Sequence, residues 1–291
     1  MESFGELKKN NKRSIEDLTK ELDSLKTSGF QEDKRFYYPD LDKVGIGSAT
    51  IRFLPPPKGE DNRFVKIFHH GFKGPGGQWY IENSLTTIGQ NDPVSEYNSK
   101  LWNTGLDANK KIASGQKRKT KFISNIVVVK DEKHPEFEGK NFLFRYGKKI
   151  FDKLNEAAFP EFPDTPAFDP FSLWEGANFK LKIRKVEGWP NYDKSEFDDV
   201  GPYDEDDKVL EKLWSGEFSL QAFLAASEFK SYDELKKKFY RVIGSQASTE
   251  DAQEVDEPSI PSAVAKALDS AAPEGKEDNL DYFNNMLNDD E

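Results

Sequence analysis

The chain has no cysteine, two methionines and three histidines among its 291 residues. The first absence excludes disulfides, thiolate nucleophiles and every zinc or iron–sulfur centre that is built on cysteine. Long apolar runs are missing too. The longest aliphatic one, Ile126 to Val129, falls far short of the roughly 20 residues that a helix needs to cross a bilayer. The opening residues, MESFGELKKNNKRS, hold no apolar stretch of the kind a secretion signal needs, so a cytoplasmic location is expected.

What the chain has in quantity is charge, 33% of residues, and aromatic rings, 13%. The net charge of −11 is not spread evenly. Residues 245–291 hold 13 acidic and 2 basic side chains, whereas residues 1–244 balance at 40 of each. Within that neutral body, residues 110–153 carry 13 Lys and Arg against 5 Asp and Glu. Phenylalanine and tyrosine alternate there with the cations. A single nucleic-acid strand asks for that pair of residue types, because cations neutralise its phosphates and flat rings stack on its unpaired bases.

Three parts follow from the pattern along the chain. Residues 1–29 read as a basic arm, with Lys8, Lys9, Lys12 and Arg13, and a short helix that Ser14 can cap, its Ile15, Leu18, Leu22 and Leu25 recurring at helical spacing. Residues 30–244 read as a core whose strands are ATIRFLP at 49–55, FVKIFHHGF at 64–72, QWYIEN at 78–83, KFISNIVVVK at 121–130, NFLFRYG at 141–147 and NFKLKIRKV at 178–186. Helices are expected after Lys149 and within 207–243, the last stopped by Gly244, and IASGQ at 112–116 reads as a flexible loop tip. The expected fold class is α+β, with an OB-type antiparallel barrel at its centre. Residues 245–291, rich in Ser, Ala, Pro and acid, are expected to be disordered. Their end, NLDYFNNMLNDDE, sets Tyr282, Phe283, Met286 and Leu287 at spacings that suit an amphipathic segment folding on a partner.

The candidate nucleic-acid residues are the cluster Lys110, Lys111, Lys117, Arg118, Lys119 and Lys121, then Phe122, Phe144, Tyr146, Trp189 and Tyr192 beside Arg145, Lys148, Lys149 and Arg184. On a strand Phe144 and Tyr146 share a face and Arg145 takes the other, so not all can meet one strand of DNA and some rings must be core. Enzyme readings are weaker. His69 and His70 are adjacent on a strand and point apart, with no nucleophile near them in the pattern. The carboxylates from Asp198 to Asp207 lack the spacing of a calcium loop and sit beside Pro202 in a turn. GFKGPGGQWY joins two strands and is no phosphate loop opening a helix.

In order along the chain, ATIRFLP, HGFK with QWYIE, KRKT with NIVVVKD, FRYGKKIFDKLN and WEGANFKLKIRKVEGWPNYD resemble the single-stranded DNA-binding proteins of T-even-like bacteriophages. The resemblance implies an arm for cooperativity between protomers, engaging a neighbour through Lys8, Lys9, Lys12 and Arg13. It also implies an OB-fold core that holds DNA, and an acidic tail that recruits replication and recombination proteins in the infected host. It places Arg52, Lys117, Arg118, Lys119, Phe122, Phe144, Arg145, Trp189 and Tyr192 on the DNA. Members bind zinc through one histidine and three cysteines, and the matching places here hold His70, Ser84, Asp92 and Ser95. Serine hydroxyls are poor zinc ligands, so no zinc is expected, and the segment should be held by packing around Trp79, Tyr80, Ile81, Tyr97 and Trp102. The reading is a non-enzymatic, cooperative protein that coats single-stranded DNA in phage replication, recombination and repair. The alternatives are a single-stranded RNA regulator using the same groove and a metal-dependent nuclease using the Asp198 to Asp207 cluster.

Overall fold

The longest strand, β4 (Lys119–Lys130), organises the molecule, because from Phe122 to Val128 its side chains are buried on both faces. The computed structural model describes residues 33–186 and 188–244. On one edge β4 pairs with β5 (Asn141–Tyr146). On the other it takes two partners end to end, β2 (Val65–Lys73) along Lys119 to Ile123 and β1 (Gly47–Phe53) along Ile126 to Lys130. Beyond β2 lies β3 (Trp79–Asn83), and beyond β1 lies β6 (Ala177–Val186), which also carries β8 (Glu196–Val200) and the short β7 (Trp189–Asn191). All pairings are antiparallel, and the sheet curls into a half-barrel. With the five helices found among the described residues, the class is α+β, as the strand pattern indicated.

The barrel core is aromatic. Phe53 packs edge-on against Tyr146, Phe171 and Phe179 at centroid distances of 5.6, 5.7 and 5.7 Å, and Phe122 stacks on Phe151 of α3 (Lys148–Ala158) at 4.0 Å. A second core lies between the β2–β3 hairpin and the helices α1 (Pro93–Asn103) and α5 (Tyr232–Ile243): Phe72, Tyr80, Leu85 and Val94 meet Leu235, Phe239 and Val242. This corrects the expected packing, since Trp79 and Ile81 are more than half exposed and only Tyr80 of that trio is buried. Gly74 is what lets α5 approach the hairpin, because a Cβ there would lie 2.0 Å from the Val242 carbonyl oxygen. Helix α4 (Asp207–Ser215) buries Leu210 and Leu213 on Leu54, Val127 and Leu173.

A second correction concerns IASGQ. It is not a loop tip but the last half of helix α2 (Asp107–Gln116), which buries Asn109 and Ala113. The helix ends at Gly244, whose left-handed φ of 80° closes α5 as expected. Residues 33–37 fall in a separate small unit, where the Asp33 carboxylate accepts from the Arg35 backbone N–H and guanidinium. The arm with Lys8, Lys9, Lys12 and Arg13 and the tail with Tyr282, Phe283, Met286 and Leu287 lie outside the described residues.

Candidate nucleic-acid interface

Pairing register builds the cationic surface. On β4, Lys119 and Lys121 share one face, and β2 sets His69 opposite Lys119 while β5 sets Arg145 opposite Ile123. The lysines and Arg145 are close enough to repel one another. Burial, then the charges of Arg145 and Lys119, hold the Lys121 ammonium below its ordinary range, and burial followed by Lys121 pushes His69 down to about 3. With its pKa so low, His69 is neutral and a weak proton acceptor at physiological pH. On the opposite face of β2, the Phe68 ring has the Arg118 guanidinium 4.0 Å and the Lys66 ammonium 4.9 Å from its centroid. Arg118 is fixed further by donating to Thr86 Oγ1 at 2.7 Å. Helix α2 adds Lys110, 5.8 Å from the Trp102 ring, with exposed Lys111 beside it and Lys117 just past its end.

From Arg145 the chain turns at Gly147 directly into α3, and this junction extends the cationic path. Helix α3 starts with Lys148 and Lys149, its N-cap Gly147 supplies no side-chain acceptor, and its first turn holds no acid. Lysines at a helix N-terminus are opposed by the helix dipole, at about 0.3–1 kcal/mol each. An anion placed there would relieve that repulsion. The Lys149 ammonium donates to Asn191 Oδ1 at 3.2 Å, so the cations reach the hairpin in which β7 and β8 pair with β6. There Trp189 is 73% exposed, Tyr192 is half-buried with its hydroxyl pKa raised by burial, and Arg184 forms a fork on Asp193.

Four expected DNA contacts are corrected. Arg52 is 1% exposed, and its guanidinium donates to the carbonyls of Ser172 at 2.8 Å, Gly201 at 2.9 Å and Leu173 at 3.4 Å. Burial draws its pKa down to about 10, which still leaves it charged and spent on the fold. Phe122, Phe144 and Tyr146 are 5%, 2% and 4% exposed and belong to the aromatic core, where Tyr146 also shares a 2.8 Å hydrogen bond with Ser124 Oγ. Their parity along β4 and β5 turns them inward together. Lys66 and Phe68 were missed, although Lys66, Phe68 and His70 alternate legibly in FVKIFHHGF.

The carboxylates from Asp198 to Asp207 do not converge. Asp198 pairs with Lys180, Asp206 caps α4 by accepting from the Lys208 N–H, and Asp204 accepts from the Asp206 N–H. Among the described residues, no three His, Asp or Glu side chains are grouped to hold a metal ion. At the positions where the resemblance implies zinc, the side chains serve each other. His70 Nε2 lies 3.1 Å from Asp92 Oδ1, and Asp92 accepts from the N–H groups of Val94, Ser95 and Leu85. The Ser84 hydroxyl caps the short turn Leu85–Ile88 by accepting from Thr86. Two serine hydroxyls beside one His and one Asp do not make a four-ligand structural zinc site.

A half-barrel rim that gathers cations along β2, β4, β5 and α3 and ends at an exposed indole defines a polyanion-binding protein of the barrel type. The chain belongs to the gp32 DNA binding protein like family, whose model matches residues 45–243. It is 38% identical over 289 residues to the single-stranded DNA-binding protein of Enterobacteria phage T4, spanning 96% of this chain and 91% of that protein. Against the protein of the same name from Enterobacteria phage T2 the identity is 40% over 267 residues, 89% of this chain and 83% of that one.

Proposed function

We propose that this chain binds single-stranded DNA without sequence preference and coats it during phage DNA replication, recombination and repair in the infected host. What supports this reading is the set of cations Lys119, Lys121, Arg145, Lys148 and Lys149 together with the exposed indole of Trp189. Its groups are those that answer phosphates and base faces. The family membership and the two phage relatives support the same reading. Protomers cooperate through the basic arm, and the acidic tail recruits replication and recombination proteins. Binding is the activity, without catalysis. The His70–Asp92 segment works without zinc.

Equilibrium binding of the full chain to oligo-dT, to the matching duplex and to RNA of equal length, each across a salt series, tests the proposal. Oligo-dT should bind most tightly. Each neutralised phosphate contributes about −0.7 to the slope of log affinity against log salt, so contacts by Lys119, Lys121, Arg145 and Lys149 predict a slope near −3 from these four alone. Equal affinity for duplex refutes the single-strand reading, and tighter binding to RNA transfers it to the RNA alternative.

A further inference from the structure

Strand β6 presents Lys180, Lys182 and Arg184 on one face, and alternate residues of a strand stand about 6.7 Å apart. Each of these cations is met by a carboxylate from the hairpin that follows. Asp198 Oδ1 lies 2.9 Å from Lys180 Nζ, Glu196 Oε1 lies 2.6 Å from Lys182 Nζ, and Asp193 takes Arg184 in a fork of 2.5 and 3.0 Å. Antiparallel pairing reverses the order, so the second strand lays a row of anions along the first at the spacing of its cations. The charges of Lys149 and Lys153 also act on this row, the first on Asp193 and the second on Glu196.

The fold has little need of this ladder. All six side chains are 32% or more exposed, where an ion pair adds little to stability. The hairpin is anchored otherwise. Phe197 packs on Phe179 and Phe168 at 4.8 and 5.3 Å, and Ser195 Oγ donates to the Lys182 carbonyl and accepts from the Lys182 N–H. The same hairpin carries Trp189 and adjoins Lys149 at the end of the cationic path.

We propose that Asp193, Glu196 and Asp198 are built-in stand-ins for phosphates. They hold the β6 cations in the free protein and release them to the DNA backbone in the complex, so the hairpin is an internal competitor that weakens binding at low salt. The proposal rests on the single-strand reading. Exchanging a protein carboxylate for a phosphate releases no counterion, whereas a bare cation releases one.

The test compares the full chain with the variant Asp193→Asn, Glu196→Gln, Asp198→Asn in binding to oligo-dT. A control, Asp61→Asn, Glu161→Gln, Asp164→Asn, makes the same change in net charge at exposed acids outside the hairpin. The ladder variant should bind more tightly at low salt, with a slope steeper than the control's by about 2. Its advantage over wild type should therefore shrink about 16-fold between about 50 and about 200 mM salt. Glu196→Gln alone removes the middle pair and keeps Phe197, so it decides the matter should the triple variant melt early, with a slope steeper by about 0.7. Slopes equal to the control's, with wild type binding normally, overturn the ladder alone. Wild type that ignores oligo-dT overturns the single-strand reading and the ladder with it.

Discussion

Replacing Trp189 with alanine separates ligand contact from packing more cleanly than any other change to an aromatic residue. The indole is 73% exposed, so the substitution removes little buried surface and should leave the melting temperature within a degree or two. If it stacks on a base, the loss is about 1–3 kcal/mol, which is roughly 5-fold to 150-fold in affinity for oligo-dT. The indole carries no charge, so the salt slope should not move. The contrasting substitution is Phe144→Ala. That ring is 2% exposed against Phe53 and Tyr146, and its removal should cost about 3–5 kcal/mol of stability, a large part of what a domain has. Anisotropy titrations at two salt concentrations and thermal melts of both variants make the measurement. A Trp189→Ala protein that binds oligo-dT as wild type does, or a Phe144→Ala protein that keeps its stability and loses affinity, would refute the assignment of rings to site and core.

Arg52→Met should destabilise the fold by about 3 kcal/mol or more, because three carbonyls lose their donor, while correctly folded protein keeps its affinity for oligo-dT; urea melts and titration together check this. Zinc analysis of the purified chain should find no stoichiometric metal. The variant Ser84→Cys, Asp92→Cys, Ser95→Cys should acquire about one zinc and then lose stability to EDTA. Glu217 has both carboxylate oxygens buried without a partner, and burial followed by the charge of Glu60 raises its pKa to about 8. A carboxyl whose folded pKa is raised is stabilising below its unfolded value of about 4.3, and that stability is lost as pH climbs toward 8. Melting temperature should therefore fall across pH 5–8 more steeply in wild type than in Glu217→Gln. Deleting residues 245–291 removes a charge of −11 and should raise oligo-dT affinity most at low salt, where screening is weakest; unchanged low-salt affinity would show that the tail does not compete for the groove.

The parts of the fold that sequence displayed were those in which a single segment contains its own instruction. Six strands were legible because their alternation or apolar runs are local, and the stop at Gly244 because a left-handed C-cap is a one-residue feature. Helix α1 was missed although Asp92 and Pro93 spell an N-cap and a first helical position, since its buried side includes Ser95, Asn98 and Ser99 and shows no apolar stripe. Strand β8 was missed because its Glu196 and Asp198 answer the charges of β6, a relation between two segments, and β7 because three residues, WPN, show no alternation. The same distinction governs the site. Lys119, Lys121 and Arg145 share a face of the sheet, as alternation alone indicates, but Arg52 is claimed by carbonyls 120, 121 and 149 residues away, which nothing in TIRFLP announces. Parity told that Phe144 and Tyr146 share a face. Which face was core depended on Phe53 and Phe171, supplied from elsewhere in the chain.

The segment around His70 is held together by hydrogen bonds among its own side chains and backbone. His70 is buried on β2, with Nδ1 3.0 Å from the Gln116 carbonyl and Nε2 3.1 Å from Asp92. Both partners offer acceptor oxygens to the ring. Burial alone would raise the Asp92 pKa, yet the hydrogen bond with His70 and the Ser95 N–H bring it below its ordinary value. The remaining lone pairs of the carboxylate are taken by the first N–H groups of α1 and by Leu85. The His70 ring joins β2 to the end of α2, and the Asp92 carboxylate joins it to α1 and the turn before it. Those are the connections a metal ion would make between four ligands. A serine at 95 keeps a buried hydroxyl without a hydrogen-bond partner, a position in which a thiol would lose nothing. The orphaned Ser95 hydroxyl marks a place that a thiol would fill without losing a hydrogen bond, and in the triple-cysteine variant a bound zinc would take over the connections that the Asp92 carboxylate now makes.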